Sequence, residues 1–275
     1  MNNNYSPQGR RSYKDASGNW DELIVEAAIL IKINELELSN IRTPGEDVFL
    51  VKGFLLTEGF IPHLENIKNI RLQLAQGSGR EDDYDQIEVS LNSQLATSKY
   101  QRSHEIRPSC GLCGDSSLPD NIASNALSLT EKKWDLNKIL KSPDILRKQQ
   151  GLFSKTGACH AAAIFNKEGE LLFFAEDVGR HNAVDKVIGK AADAHTDLSQ
   201  CYIFLSGRCG YELIAKAVRV GLPLVASVSG TTSMSLDLAK KHHVTLISFC
   251  RNNSARVYND PGRLTHSPQP PSPSN

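Results

Sequence analysis

The fold is decided by residues 201–250, which read CYIFLSGRCGYELIAKAVRVGLPLVASVSGTTSMSLDLAKKHHVTLISFC. Three short runs in this stretch are apolar and rich in β-branched and aromatic residues, which is typical of buried strands. The two segments between them place apolar residues at helical spacing. The predicted strands are 201–206, 222–229 and 244–250, and the predicted helices are 211–220 and 234–243. A β-α-β-α-β run of this kind builds a parallel sheet covered by helices, so we predict an α/β fold.

The stretch before this run predicts a hairpin with strands at 160–166 and 171–177, followed by a helix at 182–194. In open α/β sheets, ligands bind beyond the carboxyl ends of the strands, near helix N-termini. The segments at these ends are AEDVGRH, LSGRCG, VSGTTS and FCRNNS, and they contain Arg180, Arg208 and Arg251. Free amides at helix N-termini attract anions, so this edge is suited to a phosphate-bearing ligand, although none of the segments is a P-loop. Ordinary tight turns are the alternative interpretation.

The whole chain has 275 residues, with 31 Lys+Arg against 31 Asp+Glu. This balance argues against a broad nucleic-acid-binding surface, and no apolar run is long enough for a membrane helix. The N-terminal residues lack the apolar stretch of a secretory signal, and the C-terminal residues are rich in Pro and Ser, so both ends are expected to be disordered. Without an export signal, a reducing cytoplasmic location is expected.

Ahead of the α/β region the pattern is β-rich, with strand candidates within 22–39, at 67–74 and at 86–91. Between them, Thr43-Pro44-Gly45-Glu46 predicts a capping box that starts a helix. We therefore divide the chain into a disordered leader at 1–18, a smaller β-rich N-terminal subdomain at 19–109, a loop at 110–120, an α/β domain at 121–265 and a disordered tail at 266–275.

Two of the six cysteines, Cys110 and Cys113, lie close together in the turn-rich segment RPSCGLCG. Thiols at this spacing can bind a metal, form a redox disulfide or carry sulfur. A structural zinc site normally needs four ligands, and no second CxxC is present. A thioredoxin-like pair is expected at the start of a helix early in the chain, not in a loop at its middle. Nucleophilic sulfur transfer is the remaining chemistry, and Arg107 nearby favours the thiolate form of the cysteines. The alternative interpretation is that the CxxC spacing is incidental and has no function.

The other four cysteines are interpreted from their surroundings. Cys201 and Cys250 lie in apolar runs, where burial is expected. Cys159 and Cys209 lie in Gly-containing turns, and their role is left open.

Several motifs together resemble a known family, the formate dehydrogenase accessory sulfurtransferases. The matching motifs are VKGFLLTEGFI, RPSCGLCG, TGACHAAA, EDVGRHNAVDKVIG, SGRCGYEL and the segment from LISFCR to VYNDPGRL. They occur in the family's order over about residues 20–265, and the EDVGRHNAVDK block is highly specific.

The resemblance implies a cytoplasmic sulfur carrier. In that family a cysteine of the CxxC loop accepts sulfur from a cysteine desulfurase as a persulfide. It passes the sulfur to the molybdenum bis(molybdopterin guanine dinucleotide) cofactor before this cofactor enters formate dehydrogenase. Carried over to this chain, Cys110 holds the persulfide, and Cys113 assists the transfer or shares it. The resemblance also implies a homodimer, a cofactor-binding role for the α/β domain, and cofactor contacts through Phe249, Cys250, Arg251, Asn252, Asn253 and Ser254.

The fold of the family is a three-layer α/β/α sheet like that of the cytidine deaminases, which agrees with the β-α-β-α-β run. The PCxxC part of the deaminase zinc signature is missing, because Ser109 precedes Cys110, so neither zinc nor deaminase activity is expected. Cys159 and Cys209 stand where other small residues are expected in the family. Either they take no part in sulfur transfer, or they bind sulfur at intermediate steps of it. The alternative function is a non-catalytic chaperone that binds the cofactor or a guanine nucleotide and has a structural or metal-binding CxxC.

Overall fold

The computed structural model describes residues 9–75, 84–92 and 132–265. The strands in this part of the chain are β1 (Arg10–Lys14), β2 (Trp20–Ile24), β3 (Ala27–Ile33), β4 (Leu36–Arg42), β5 (Ile67–Gln73), β6 (Asp85–Leu91), β7 (His160–Asn166), β8 (Leu171–Asp177), β9 (Cys201–Leu205), β10 (Leu224–Ser227), β11 (Thr245–Arg251) and β12 (Ser254–Asn259). The α-helices are α1 (Asp47–Thr57), α2 (Leu136–Ile139), α3 (Ser142–Gln149), α4 (Gly151–Thr156), α5 (Arg180–Asp193), α6 (Tyr211–Arg219) and α7 (Ser233–Lys241), and short 3-10 helices lie at Leu64–Asn66 and Leu198–Gln200. No helix in the described ranges has the length and apolar character that a membrane span requires.

The described residues form two compact units that alternate along the chain. The first unit holds 9–75, 84–92, 150–160 and 176–193, and the second holds 132–149, 161–175 and 194–265. Helix α5 therefore belongs with the N-terminal elements, whereas the sequence pattern predicts a single domain over 121–265. The predicted 110–120 loop and the predicted tail at 266–275 lie outside the described residues.

The first unit is built around a four-stranded sheet with the order β4-β3-β6-β5. β3 pairs antiparallel with β4 and parallel with β6, and β5 pairs antiparallel with β6. The alternate residues Ile29, Ile31 and Ile33 of β3 are buried on one face of the sheet and form a core with Val51 and Leu55 of α1. The period of two along β3 thus produces the apolar face that packs with the helix.

Helices α1 and α5 approach each other until their backbones touch. A Cβ atom on Gly53 would lie 1.8 Å from the Asp185 carbonyl oxygen, and one on Gly189 would lie 1.9 Å from the Phe49 carbonyl oxygen. Only glycine fits at these two positions, because a methyl group there would overlap main-chain atoms that cannot move aside. This contact explains why α5 groups with the N-terminal elements although it is distant from them in sequence.

The predicted disordered leader is wrong for residues 10–14, which form β1 and pair antiparallel with β2. The connecting turn is stabilised by Asp15, whose Oδ1 accepts the amide hydrogens of Ser17 and Asn19 over 2.8 Å each. These bonds favour the carboxylate and lower the pKa of Asp15. A salt bridge of 2.6 Å between Arg10 and Glu22 joins the two strands. Sequence reasoning missed the hairpin because its residues are polar and show no apolar alternation.

The predicted capping box at the start of α1 is also wrong. The residue before the helix is Glu46, which has φ 62° and makes no side-chain capping bond. Thr43 has a different partner, because its Oγ1 accepts the amide hydrogen of Val178 over 3.1 Å. A long-range contact has therefore replaced the local cap that the sequence pattern predicted.

The second unit contains the six-stranded sheet, in the order β12-β11-β10-β9-β7-β8. β9, β10 and β11 are parallel, whereas β12 pairs antiparallel with β11 and β7 pairs antiparallel with β9. With α6 and α7 these strands confirm the predicted β-α-β-α-β run. The core of this unit includes Trp134, Phe165, Tyr202 and Phe204. The protein is thus a mixed α/β protein with several sheets, while the three-layer, deaminase-like arrangement stays a prediction.

Candidate functional site

The carboxyl ends of three parallel strands meet at one edge of the six-stranded sheet. We define the carboxyl edge as the segments 206–210 after β9, 228–232 after β10, and 249–256 from the end of β11 into β12. The turns of the predicted segments LSGRCG, VSGTTS and FCRNNS lie at this edge, so their shared location is confirmed. Arg208 and Arg251 are both exposed there, as a site for an anionic ligand requires.

Hydrogen bonds join the first two segments of the carboxyl edge. The Cys209 amide donates to the Gly230 carbonyl oxygen over 3.0 Å. The Cys209 carbonyl oxygen accepts from the hydroxyls of Thr231 and Ser235 over 3.2 and 3.0 Å. Thr232 caps α7, because its side chain accepts the amide hydrogen of Ser235. The turns are therefore preformed, which is usual for small-molecule sites.

Buried serines connect the second segment to the third. The hydroxyl of Ser227 donates to the Ser229 carbonyl oxygen over 2.9 Å and lies 3.1 Å from the hydroxyl of Ser248. The Ser229 carbonyl oxygen also accepts the Phe249 amide hydrogen over 3.1 Å. The main chain at the end of β11 is thus fixed against the turn that follows β10.

The backbone of the third segment has an unusual conformation. Phe249, Asn252 and Asn253 have φ angles of 56°, 52° and 55°. Asparagine visits this left-handed region readily, but for phenylalanine it costs roughly 1–2 kcal/mol. Such strain persists only where the surrounding contacts impose it, and it is concentrated at functional sites.

The Phe249 ring lies close to one glycine and two arginines. A Cβ atom on Gly230 would be 3.0 Å from Cζ of the ring, so a side chain at position 230 would displace it. The guanidinium carbons of Arg251 and Arg256 lie 5.9 and 5.2 Å from the ring centroid, within the range of cation–π contacts. Arg256 was not among the predicted site residues, because it lies in the middle of β12 and outside any turn signal.

The residues expected to contact the cofactor differ in exposure. Arg251, Asn252, Asn253 and Ser254 are exposed, and Phe249 is half-buried. Cys250 is fully buried among the apolar residues of the core, and burial raises the pKa of its thiol to about 12. A ligand at this edge would therefore meet the main chain of Cys250 but not its sulfur.

Residues 176–181, the last six of the segment AEDVGRH, lie in the first unit and have different chemistry. The Asp177 carboxylate accepts the amide hydrogens of Gly179 and Thr43 over 2.8 and 3.1 Å. It also forms a fully buried salt bridge of 2.7 Å with Lys186. An internal carboxylate thus lies near the helix N-terminus, where the sequence pattern predicts an external anion beside Arg180.

The four cysteines that the structure describes are all buried. The Cys159 thiol donates to Glu176 Oε1 over 3.3 Å, and burial together with this carboxylate raises its pKa. Burial raises the pKa of Cys201 to about 11 and that of Cys209 to about 12. Because the thiolate is the nucleophile, these thiols are inert near neutral pH. The expected burial of Cys201 and Cys250 is confirmed, and Cys159 and Cys209 are buried as well.

Cys110 and Cys113, the predicted catalytic pair, lie outside the described residues. Among the residues that are described, no group of three or more His, Cys, Asp or Glu side chains could hold a metal ion. The chemistry visible at the carboxyl edge is that of hydroxyls, main-chain groups and the exposed guanidinium groups of Arg208, Arg251 and Arg256. These groups are suited to binding phosphate oxygens.

The inertness of the buried thiols predicts a simple labelling pattern. We expect iodoacetamide at pH 8 to modify no more than two of the six cysteines in the native protein, and peptide mapping to exclude Cys159, Cys201, Cys209 and Cys250. At this pH a thiol of pKa about 12 is roughly one part in 10,000 thiolate, and burial blocks the reagent as well. In urea all six should react. Rapid native labelling of Cys209 would contradict the described site.

The fold and the carboxyl edge define an α/β protein with preformed turns and exposed arginines, suited to a phosphate-bearing ligand. A model of the FdhD/NarQ family matches residues 24–265 of this chain. The chain therefore belongs to the FdhD/NarQ family, which confirms the resemblance that the motifs indicated.

Individual relatives agree with this assignment. A protein of Streptomyces avermitilis named sulfur carrier protein FdhD is 36% identical over 252 residues, which cover 86% of this chain and 87% of the relative. A protein of the same name from Sulfolobus acidocaldarius is 36% identical over 250 residues, covering 89% and 91%. A crystal structure from Desulfotalea psychrophila, described as that of a formate dehydrogenase accessory protein, has a TM-score of 0.68 and 23% identity, and the match covers 93% of this chain and 97% of that one. This likeness shows a shared fold.

Proposed function

We propose that this protein is a sulfur carrier for formate dehydrogenase, with Cys110 as the residue that holds the sulfur. Curated relatives that match most of the chain carry the name sulfur carrier protein FdhD, which supports the general role. The assignment of the sulfur to one particular cysteine depends on the accessibility and the ionisation of each thiol. Sulfur can be carried only by a thiol that a donor can reach and that forms a thiolate.

The observation that supports Cys110 and Cys113 is the state of the other four cysteines. Cys159, Cys201, Cys209 and Cys250 are buried, and burial raises the pKa of each. They are poor acceptors of sulfur for that reason. The remaining two of the six cysteines are Cys110 and Cys113, which lie on a Gly-containing segment with Arg107 nearby.

The proposed loading step is a thiol exchange. The Cys110 thiolate attacks the outer sulfur of a persulfide on a cysteine desulfurase, a new S–S bond forms, and the donor cysteine leaves as a thiolate. Cys110 is then a persulfide. The acceptor then bonds to the outer sulfur atom with its own electron pair, the S–S bond breaks, and the electrons of that bond return to Cys110 as the thiolate. Cys113 assists this transfer or shares the sulfur with Cys110.

The proposed acceptor is the molybdenum bis(molybdopterin guanine dinucleotide) cofactor, which this protein handles as cargo. The carboxyl edge supports this proposal, since its hydroxyls and arginines are suited to the phosphates of a dinucleotide. We place the reaction in the cytoplasm and the carrier in a homodimer, as the family resemblance implies. Cysteine desulfurase and formate dehydrogenase are the proposed protein partners.

Sulfur loading tests the proposal directly. After incubation with a cysteine desulfurase and L-cysteine, the intact protein should gain about 32 Da for each sulfur, and dithiothreitol should remove the gain. Cys110→Ala should abolish the adduct. Cys209→Ala, which removes a buried thiol at the carboxyl edge, is the control that should still load. A Cys110→Ala protein that loads as well as wild type would transfer the role to Cys113.

The alternative, a non-catalytic cofactor-binding chaperone, makes the opposite prediction. In that case the double variant Cys110→Ala/Cys113→Ala would still support formate dehydrogenase in cells. Under the sulfur-carrier proposal it should fail while its folded state, followed by circular dichroism, is retained. A wild-type protein that never acquires sulfur would exclude the carrier role.

A further inference from the structure

The segment 132–149, which belongs to the second unit, is strongly basic. It holds six lysine or arginine residues and two aspartates, whereas the whole chain has 31 basic and 31 acidic residues. The basic residues of the segment are Lys132, Lys133, Lys138, Lys141, Arg147 and Lys148. A chain whose charges balance in sum therefore carries a local excess of positive charge here.

Helices α2 and α3 bury one side of this segment and leave the other side in solvent. Leu136 and Ile139 of α2 and Leu146 of α3 lie in the core of the second unit. The hydroxyl of Ser142 at the start of α3 lies 2.9 Å from the hydroxyl of Tyr202, within hydrogen-bond distance. The helices are thus anchored from one side, and cations lie on the other. We define the basic face as the exposed residues Lys138, Lys141, Arg147 and Lys148.

Main-chain geometry places the three lysines of the basic face close together. The Lys141 amide donates to the Lys138 carbonyl oxygen over 3.1 Å, and side chains three residues apart in such a turn lie above one another. The Lys141 carbonyl oxygen accepts the Ile145 amide hydrogen over 3.2 Å, so Lys141 leads directly into α3. Lys148 follows Lys141 by about two helical turns and lies on the same side, roughly 10 Å along the axis. Asp144 is exposed on α3 as well, and the basic face keeps a net positive charge beside it.

The charge of these three lysines is not neutralised by the residues that the structure describes. The salt bridges in the described ranges join other pairs, and none includes Lys138, Lys141 or Lys148. A helix dipole favours cations in its last turn, where Lys138 and Lys148 lie. It gives no such reason for Lys141, which lies between the two helices. Like charges on one side repel each other, so a negatively charged partner would lower the electrostatic energy.

The surroundings of the basic face restrict the kind of partner that fits it. The large apolar side chains that are exposed in the described ranges all lie outside 132–149. The basic face therefore has no aromatic platform on which nucleic-acid bases would stack, and no apolar anchor that would hold a long-lived complex. A second copy of this chain that met it with the same face would bring like charges together. An acidic protein surface complements it, in a contact that is short-lived and sensitive to salt.

We propose that the basic face docks an acidic surface of the protein that donates sulfur. This inference rests on the proposed function, in which the carrier meets a cysteine desulfurase for every sulfur atom that it accepts. Complementary charges at the rim of a contact raise the rate of encounter more than they slow dissociation. Such a contact suits a carrier that has to leave its donor before it reaches its acceptor.

The test is the rate at which a cysteine desulfurase with L-cysteine loads the full chain, followed by intact mass. Charge reversal in Lys138→Glu/Lys141→Glu/Lys148→Glu should slow loading by about tenfold or more at low ionic strength, through KM and not through kcat. The triple arginine variant keeps the charges and should load like wild type. Raising the salt from about 0.03 M to about 0.3 M should slow the wild type strongly and the glutamate variant much less.

The matched control is Lys68→Glu/Lys155→Glu/Lys240→Glu, which makes the same change of net charge at exposed lysines that are spread over both units. It should load like wild type, because the local cluster and not the total charge guides the donor. All variants replace exposed side chains, so their circular dichroism should match that of wild type. A control variant that is slowed as much as the basic-face variant would refute docking at this surface.

Sodium polysulfide separates this inference from the proposed function, because it is a small sulfur donor that needs no docking surface. It should load wild type and the basic-face variant at equal rates. If polysulfide and the desulfurase both fail to load wild type, the carrier proposal is wrong. If the desulfurase loads the basic-face variant as fast as wild type, the docking surface is wrong while the carrier proposal stands. Binding of wild type to phosphatidylglycerol vesicles that the glutamate variant loses, with unchanged desulfurase loading, would assign the basic face to a membrane instead.

Discussion

Gly189→Ala is expected to destabilise the protein by about 3 kcal/mol, although alanine is the better helix former. The added methyl group would lie 1.9 Å from the Phe49 carbonyl oxygen and 2.9 Å from the Gly53 amide nitrogen. These are main-chain atoms of α1, and they can move only if the whole helix shifts. The gain in helix propensity of about 1 kcal/mol does not compensate for that displacement. Urea denaturation followed by far-ultraviolet circular dichroism measures the change.

Gly151→Ala is the matched control, because nothing lies within 4 Å of the Cβ position and the residue opens α4. It should leave the urea midpoint unchanged or raise it slightly. Gly53→Ala should behave like Gly189→Ala, since its methyl group would meet the Asp185 carbonyl oxygen at 1.8 Å. Equal midpoints for Gly189→Ala and Gly151→Ala would mean that the two helices do not touch in solution.

Lys186→Met is expected to cost about 3–5 kcal/mol of stability, because it leaves the buried Asp177 carboxylate without its counter-charge. The side chains of Lys186 and Asp177 are 2% and 0% exposed, and the lysine also donates to the Thr43 carbonyl oxygen over 2.9 Å. The same urea experiment measures the loss. Methionine keeps most of the apolar length of the lysine, so the effect reports the charge more than a cavity.

Lys190→Met on the same helix provides the comparison. Lys190 pairs with Glu46, whose side chain is 41% exposed, and a salt bridge of this kind contributes at most about 1 kcal/mol. The double variant Asp177→Asn/Lys186→Met should recover part of the stability lost in Lys186→Met, since the uncompensated charge is gone. If Lys186→Met is no worse than Lys190→Met, the Asp177–Lys186 pair is not buried as described.

The sequence predicted those parts of the fold that depend on local periodicity. The strands β9, β10 and β11 and the helices between them follow from apolar patterns, and the turns after the strands predicted the carboxyl edge. The location of α5 could not be predicted in this way, because it depends on Gly53 and Gly189 meeting across a long stretch of chain. The same holds for Thr43, whose local capping role was lost to the amide of Val178.

Within the candidate site, turn residues were predictable and strand residues were not. Arg251 lies at the end of a strand, and the sequence pattern predicted it as a site residue for that reason. Arg256 lies within the edge strand β12, where an exposed arginine is common and carries no signal of a binding site. The inert state of Cys159 and Cys209 was also beyond the sequence, because a Gly-containing turn does not reveal whether its thiol is buried.

Because the two units alternate along the chain, truncated forms of the protein cannot be used to study one unit without the other. Within the described residues the chain passes from the first unit to the second between 92 and 132, and it changes unit again at 149–150, 160–161, 175–176 and 193–194. A fragment that begins at 132 holds every described segment of the second unit, but it also carries 150–160 and 176–193 of the first. No single break in the polypeptide therefore separates the two units cleanly, so point substitutions are better suited than truncations to assigning a role to either one.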